Sequence, residues 1–349
     1  MSSRGATRLL LPLLLLAGLT ACGSDDGGAA APAGGDGAEE GASSGDGAFP
    51  VTIEHKYGSI TIEEAPERVV SVGYTDQDTL LALGVVPVGI RDWFGDQPSA
   101  TWPWATDALG GAEPLVLDSS EINYEAIAGL RPDLIVGVSS GMTEEEYSTL
   151  SDIAPTLPQT DEFPDYGVPW QDGTRLTARA LGQVDEAEAL IAAVEARYAE
   201  FREANPDLEG LEGIVAYAVS ETEVGAYASI DTRARFLGDL GFVTPPEFDE
   251  LAEGLFYTSF SNEEIARLDR DLVVWMPSSE EIRQRILSSP LRDGLRAVAE
   301  GREVFLDDLQ VGAMSFSSAL SLPFLLDSLL PQLAAAADGD PATAVAVAE

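Results

Sequence analysis

The chain is poor in the residues on which most enzymes and metal sites depend. Its 349 residues include one histidine, His55, one cysteine, Cys22, and one lysine, Lys56. A single cysteine excludes an internal disulfide, and the lack of His and Cys clusters disfavours a zinc or manganese site, where several protein ligands converge on the ion. Basic residues are also scarce. With 19 Lys and Arg against 60 Asp and Glu, the net charge of −41 makes nucleic acid a poor partner.

The shortage of histidine also bears on a hydrolase-like motif. Residues 137–141 read Gly-Val-Ser-Ser-Gly, the G-x-S-x-G pattern of a turn that presents a nucleophilic serine. Such a serine needs a neighbouring base, and in α/β-hydrolases the histidine follows the serine, whereas His55 precedes Ser139. We therefore predict no catalytic residue and interpret the motif as a ligand-lining loop, with a secreted serine hydrolase as the alternative.

The first residues predict an extracytoplasmic, lipid-anchored protein. Two arginines precede a short leucine-rich run, and Leu-Thr-Ala-Cys at 19–22 resembles a bacterial lipobox. We expect residues 1–21 to be a lipoprotein signal peptide and Cys22 to carry the lipid that holds the protein on the outer face of the cell membrane. Residues 22–49 are mostly Gly, Ala, Ser, Asp and Glu, which predicts a disordered tether with a reach of roughly 28 Å.

An internal repeat divides the rest of the chain. Residues 125–136 and 263–274 are separated by 138 positions and are identical at seven of twelve. Each copy has the Glu, Ile and Leu spacing of a short helix, followed by Asp-Leu and an apolar strand. Residues 83–86 and 240–243 form a second similar pair, in which Gly follows the end of a helix. The repeat predicts two similar lobes.

Apolar segments alternate with helical patterns in both halves, which favours two Rossmann-like lobes, each a short parallel sheet flanked by helices. The N-terminal lobe is predicted at 50–168 and the C-terminal lobe at 206–335, followed by a tail at 336–349. The connecting segment is 169–205. Within it, 174–204 has apolar residues at steps of three and four, which predicts one helix about 46 Å long. The predicted fold is α/β, with two lobes joined by one long α-helix.

This organisation resembles the iron-siderophore and cobalamin class of substrate-binding lipoproteins of ABC importers, which have the class III periplasmic-binding-protein fold. The resemblance covers about residues 50–334, and its motifs are Glu-Arg-Val-Val-Ser-Val-Gly at 67–73, Leu-Leu-Ala-Leu-Gly-Val-Val-Pro-Val-Gly at 80–89, Asn-Tyr-Glu-Ala-Ile-Ala-Gly-Leu-Arg-Pro-Asp-Leu-Ile at 123–135 and Asp-Leu-Val-Val-Trp at 271–275. Ala-Thr-Trp-Pro-Trp-Ala at 100–105 is similar to the actinobacterial ferric-siderophore branch. The resemblance implies a receptor, expected to be a monomer, that captures a ferric siderophore and delivers it to an ABC permease. A cobalamin or haem receptor of the same fold class is the runner-up.

The resemblance also implies how the protein meets the permease. Members of this family dock through one glutamate on each lobe, at the start of the helix before the Asp-Leu strand, and the matching residues are Glu125 and Glu263. Capping is the alternative explanation, because a carboxylate in a first helical turn favours the helix dipole and Ser261 with Glu264 has the spacing of a capping box.

The predicted ligand-binding residues follow strand ends or lie in aromatic-rich connecting segments. In open parallel sheets, ligands bind outside the carboxyl ends of the strands, and binding residues concentrate in loops. The candidates are Tyr74, Arg91, Trp93, Trp102, Trp104, Ser139, Ser140, Gly141, Tyr166 and Trp170 in the first half, and Tyr227, Arg233, Arg235, Trp275, Met314 and Phe316 in the second.

The predicted ligand needs no metal-binding residues from the protein. A ferric siderophore already surrounds its iron with oxygen ligands, so the protein supplies apolar walls, hydrogen bonds and matched charge, and we predict neither a protein-held metal nor a cofactor. Arg91, Arg233 and Arg235 either meet anionic oxygens of the chelate or pair with acids of the protein. Few bases and many aromatics favour a hydroxamate or mixed-type chelate over a strongly anionic tris-catecholate.

Overall fold

The computed structural model describes residues 49–218, 220, 222–343 and 345. The predicted signal peptide, Cys22 and nearly all of the predicted tether lie outside these residues. The described part opens with an antiparallel hairpin of β1 (Val51–His55) and β2 (Gly58–Ile62). Within the described part, no helix has both the length and the hydropathy to cross a bilayer.

The first lobe is built on a five-stranded parallel sheet in the order β5-β4-β3-β6-β7. Its elements are β3 (Val69–Ser71), α1 (Asp76–Ala82), β4 (Gly89–Arg91), β5 (Leu115–Leu117), α2 (Tyr124–Leu130), β6 (Leu134–Gly137), α3 (Glu144–Ser151) and β7 (Thr156–Pro158), with 3-10 turns at Pro98–Ala100 and Thr106–Leu109. Every residue of β3 and β6 is buried, because helices cover both faces of a parallel sheet. The parallel sheet predicted for this lobe is confirmed.

The second lobe has a mixed sheet in the order β10-β9-β8-β11-β12. Its elements are β8 (Gly213–Ala218), β9 (Glu223–Tyr227), α6 (Thr232–Asp239), α7 (Pro246–Ala252), β10 (Tyr257–Ser261), a 3-10 helix (Asn262–Leu268), β11 (Leu272–Trp275), α8 (Glu280–Leu287), a 3-10 turn (Arg292–Gly294), α9 (Arg296–Ala299), β12 (Glu303–Phe305), α10 (Asp308–Phe316) and α11 (Ser321–Ala337). β8, β11 and β12 are parallel, as predicted, whereas β9 runs antiparallel to both of its neighbours, β8 and β10. Four residues separate β8 from β9, too few for the crossover that parallel pairing requires.

The repeat seen in the sequence corresponds to one structural unit in each lobe. α2 and β6 in the first lobe match the Asn262–Leu268 helix and β11 in the second, and each element of the second copy begins 138 positions later. β6 lies between β3 and β7, and β11 lies between β8 and β12. The two-lobed α/β fold predicted from the repeat is confirmed, although the helix of the second copy is of the tighter 3-10 type.

The connector consists of two helices, so the prediction of one unbroken helix over 174–204 is wrong. α4 (Trp170–Leu181) ends where Gly182 adopts a left-handed conformation with φ of 69°, and α5 (Val184–Ala204) begins two residues later. The 21 residues of α5 span about 32 Å. Ala187 packs in the core of the first lobe and Tyr198 in the core of the second, so α5 still braces both lobes.

Candidate functional site

A cavity of about 300 Å³ lies between the two lobes. The first lobe contributes the turns that follow β3, β4 and β6, the connector contributes the start of α4, and the second lobe contributes the start of α6 and the end of α10. The first-lobe turns meet because the carboxyl ends of parallel strands lie at one edge of a sheet. Of the residues predicted to bind ligand, the lining contains Tyr74, Trp93, Ser139, Tyr166, Trp170, Arg233 and Phe316.

Aromatic side chains from both lobes form one wall of this cavity. The ring centroids of Tyr74 and Trp93 are 5.7 Å apart, and Trp93 is 5.7 Å from Phe316 of the second lobe. Tyr166 lies 6.1 Å from Tyr74 and is 49% exposed. Large apolar rings that converge from two lobes and stay partly open to solvent are typical of a site for a bulky organic ligand.

Two arginines, one from each lobe, lie against tyrosine rings beside the cavity. The Arg91 guanidinium is 4.5 Å from the ring centroid of Tyr74, and that of Arg233 is 4.4 Å from Tyr227. Arg233 also pairs with the buried Asp231 at 3.0 Å, so its charge is balanced within the protein. Arg91 donates to the carbonyl of Ser119 at 2.9 Å and forms no ion pair with any acid that the structure describes, so it keeps a net positive charge.

Ser139 ties two loops together at the wall of the cavity. Its hydroxyl donates to Asp76 Oδ1 at 2.7 Å and accepts from the backbone N–H and the hydroxyl of Thr75, at 3.1 and 3.0 Å. Burial raises the pKa of Asp76 to about 6, against the lowering effect of its hydrogen bonds from Ser139. This carboxylate is the main contact that the sequence did not reveal, because 63 residues separate it from Ser139.

The geometry gives no support to the serine hydrolase alternative. His55 lies on the β1–β2 hairpin, where its Nε2 is 3.2 Å from the Tyr147 hydroxyl and its Nδ1 accepts from the backbone N–H of Tyr57. Burial lowers the pKa of His55, and its side chain is not part of the cavity lining. Ser139 therefore has a hydrogen-bonded structural position and no histidine beside it.

Several predicted ligand residues do not reach the cavity. Trp102 is 4% exposed and stacks on Trp104 at 5.1 Å, and Trp104 donates its indole N–H to Asp78 at 2.8 Å. Met314, predicted in a loop, lies inside α10 and is fully buried in the core of the second lobe. Trp275, the last residue of β11, is also fully buried and donates to Glu303 at 2.6 Å. The structure places none of these four side chains in the cavity lining. For Trp275, the end of a strand does not determine which face of the sheet its side chain occupies.

Other predicted residues lie one layer behind the cavity lining. Arg91 and Tyr227 support it through the stacking just described. The Ser140 hydroxyl donates to the carbonyl of Gly137 at 2.7 Å and shapes the loop. Gly141 has φ of +60°, and a Cβ there would lie 2.4 Å from the Tyr166 ring, so glycine is required for that ring to pack. Arg235 belongs to a second cavity and donates to the carbonyl of Gly167 at 2.7 Å.

Asp78 joins the two lobes next to the cavity and was not predicted. Its Oδ2 accepts from the hydroxyl of Ser318, on the second lobe, at 2.6 Å and from Trp104 of the first lobe. Burial raises the pKa of Asp78 to about 6, although both hydrogen bonds lower it. In sequence, Asp78 is one of sixty acids, and nothing in its immediate neighbours indicates that it is buried.

Glu125 and Glu263 occupy matching exposed positions. Each lies in the first turn of the helix that leads into β6 or β11, and neither forms an ion pair within the described residues. The caps of these helices come from other side chains, since Asn123 accepts from the backbone N–H of Ala126 and Ser261 from that of Glu263. Neither glutamate is therefore needed as a cap.

Comparisons with known proteins agree on the fold. The model of the periplasmic binding protein family matches residues 69–309. A periplasmic solute binding protein of Mycobacterium smegmatis is 35% identical, with a TM-score of 0.73, over 81% of this chain and 97% of that chain. PiaA of Streptococcus pneumoniae, solved in complex with ferrichrome, is 27% identical, with a TM-score of 0.72, over 83% and 99% of the two chains. Among curated proteins, the Bacillus subtilis protein named as a probable siderophore-binding lipoprotein, YfiY, is 28% identical over 74% of this chain and 80% of its own length.

Proposed function

This chain belongs to the periplasmic binding protein family, and we propose that it is the substrate-binding component of an ABC importer that captures a ferric siderophore. The observation that carries the proposal is the aromatic cavity between the lobes, formed by Trp93 of one lobe and Phe316 of the other. The names of its relatives point to the same class of ligand, since YfiY is named for siderophore binding and PiaA was solved with ferrichrome.

The charges around the cavity favour a chelate of low net charge. Arg233 is neutralised by Asp231, and the lining also contains the Asp76 carboxylate, whereas Arg91 lies behind the lining. A neutral ferric tris-hydroxamate fits such a site, whereas a tris-catecholate carries about three negative charges that the cavity does not balance. We therefore favour a hydroxamate or mixed-type siderophore.

The size of the cavity indicates how the chelate would sit. About 300 Å³ is at the lower end of the range for small-molecule sites. A ferric hydroxamate is larger than this space, so we expect part of it to remain in the solvent-exposed mouth, against Tyr166 and Phe256.

Delivery to the permease is proposed to use Glu125 and Glu263. Both are exposed, unpaired among described residues and related by the internal repeat, so they present one carboxylate on each lobe to arginines of a partner. Membrane attachment through a lipid on Cys22 completes the proposal, with the receptor acting as a monomer on the outer face of the membrane.

Intrinsic tryptophan fluorescence tests the choice of ligand. Ferrichrome, ferric enterobactin, ferric citrate, haemin and cobalamin are titrated separately into the purified protein. We expect ferrichrome to quench the emission and raise the melting temperature, with much weaker effects from the other four. Trp93→Phe should reduce the quenching, whereas Trp275→Phe should preserve it, because Trp275 is buried away from the cavity. A response to haemin or cobalamin alone would contradict siderophore binding and identify that ligand class instead.

A further inference from the structure

Three tyrosines share one face of the second-lobe sheet, beside the mouth of the first cavity, which is the one between the lobes. Tyr227 of β9 and Tyr257 of β10 are opposite each other in the register, and Tyr217 lies on the neighbouring strand β8. The ring centroid of Tyr217 is 5.0 Å from that of Tyr227 and 6.4 Å from that of Tyr257. These three residues are named the tyrosine platform.

The platform lies on the solvent-facing side of its strands. In β10, Thr258 is buried, whereas Tyr257 and Ser259 on either side of it are exposed, and the exposed fraction of Tyr257 is 40%. Successive side chains of a strand point to opposite faces, so one face of β10 packs in the core and the other is open. Tyr217 and Tyr227 share the face of Tyr257 and are partly exposed.

A glycine beneath Tyr217 fixes the ring of that residue across the strands. Gly225 of β9 is opposite Tyr217 in the register, and a Cβ at Gly225 would lie 2.6 Å from the Tyr217 hydroxyl oxygen. Because that side chain is missing, the Tyr217 ring can cross β9 and donate its hydroxyl to the carbonyl of Thr258 on β10 at 2.7 Å. The ring is held at its far end, so little further ordering is needed when a ligand binds.

Both ends of the platform adjoin the first cavity. Phe256 lines that cavity, and its ring centroid is 5.1 Å from that of Tyr257. Arg233 also lines it, and its guanidinium lies 4.4 Å from the ring centroid of Tyr227. Since a ferric hydroxamate is larger than the cavity of about 300 Å³, a group that leaves the cavity past Phe256 meets the platform directly.

We propose that the tyrosine platform is a specificity-determining subsite for a planar aryl group that a ferric hydroxamate carries outside the first cavity. Aromatic rings attract one another in offset-stacked or edge-to-face arrangements, and a rigid, partly exposed group of three rings offers both. This inference rests on the proposed function, because the iron centre has to occupy the first cavity for the aryl group to reach the platform.

Two derivatives of ferrioxamine B test the subsite. N-benzoylferrioxamine B and N-acetylferrioxamine B are neutral tris-hydroxamates with the same iron centre, and they differ only in a phenyl or a methyl group on the terminal amide. Their dissociation constants are measured by quenching of tryptophan fluorescence in the purified protein. We expect the natural chain to bind the benzoyl derivative about three- to tenfold more tightly than the acetyl derivative.

Substitutions in the platform locate the preference. Tyr257→Ser removes an exposed ring, so the variant should fold, and Tyr217→Leu removes the ring that crosses β9. Each should lose most of the preference for the benzoyl derivative while its affinity for the acetyl derivative stays unchanged. Val116→Ser is the control, because Val116 is 47% exposed on β5, an edge strand of the other lobe, and this variant should keep the full preference.

The outcomes separate the subsite from the proposed function. If the natural protein binds both derivatives with equal affinity, the subsite is overturned and the siderophore function stands. A full preference in folded Tyr257→Ser and Tyr217→Leu would overturn the subsite in the same way. If neither derivative binds, the hydroxamate assignment is overturned together with the subsite.

Discussion

The buried carboxylate that joins the two lobes should make stability depend on pH in an unusual direction. Burial raises the pKa of Asp78 from 3.8 to about 6 in the folded protein. Because the pKa is raised in the folded state, the contribution of Asp78 to the free energy of unfolding is fully present below about pH 4, where the acid is protonated in both states. This contribution is lost as pH rises through about 6. This shift of the pKa corresponds to a loss of ~3 kcal/mol in the free energy of unfolding between pH 4 and neutral pH. Asn resembles the protonated acid and keeps an oxygen for Ser318 and Trp104, so Asp78→Asn should lack this loss.

Urea unfolding followed by tryptophan fluorescence, from pH 4 to 8, measures this effect. The free energy of unfolding of the natural chain minus that of Asp78→Asn should fall by ~3 kcal/mol between pH 4 and pH 7.5. Asp118→Asn is the control, because hydrogen bonds from Ser120 lower the pKa of that exposed carboxylate. The free energy of unfolding of the natural chain minus that of Asp118→Asn should therefore rise, not fall, as pH increases. A difference for Asp78→Asn that is constant across the pH range would refute the reasoning.

Three further predictions concern the site and the docking surface. Ser139→Ala should lower the free energy of unfolding by about 1–3 kcal/mol in urea titrations, because buried Asp76 loses its closest hydrogen bond; an unchanged stability would mean that the tie between the loops is unimportant. Gly141→Ala should lower the melting temperature and weaken ferrichrome binding, and it should do so more than Gly84→Ala, where φ is also positive but a Cβ meets no atom within 4 Å. Glu125→Gln combined with Glu263→Gln should leave ferrichrome affinity unchanged and abolish uptake of iron-labelled ferrichrome by cells; normal uptake would exclude these acids as docking residues.

The parts of the fold that follow from local pattern were predictable from the sequence. Helix and strand spacing in the repeated unit located β6 and β11, and Gly84 and Gly241 have the positive φ values expected beyond a helix end. The break at Gly182 was missed, because the apolar steps of three and four continue from α4 into α5 and conceal it.

The site was predictable in part, from the strand ends and from aromatics in connecting segments such as Tyr166 and Trp170. Tyr74 and Ser139 reach the cavity because β3 and β6 end at the same edge of one sheet. Contacts between distant segments carry no local signal. The bond from Ser139 to Asp76 spans 63 residues, and that from Ser318 to Asp78 spans 240. Likewise, the sequence shows that Trp275 ends a strand but not that the tertiary core buries its side chain.

Retention of iron-labelled ferrichrome during equilibrium dialysis tests the central claim most directly. Gly173 lines the first cavity, and a Cβ there would lie 3.8 Å from Val138 and Val168, an ordinary contact distance. Gly173→Ala should therefore retain one ferrichrome per chain, as the natural protein should, whereas Gly173→Trp should fill the cavity and retain none. Equal retention by a folded Gly173→Trp variant, or no retention by the natural protein, would contradict the assignment of this cavity as the siderophore site.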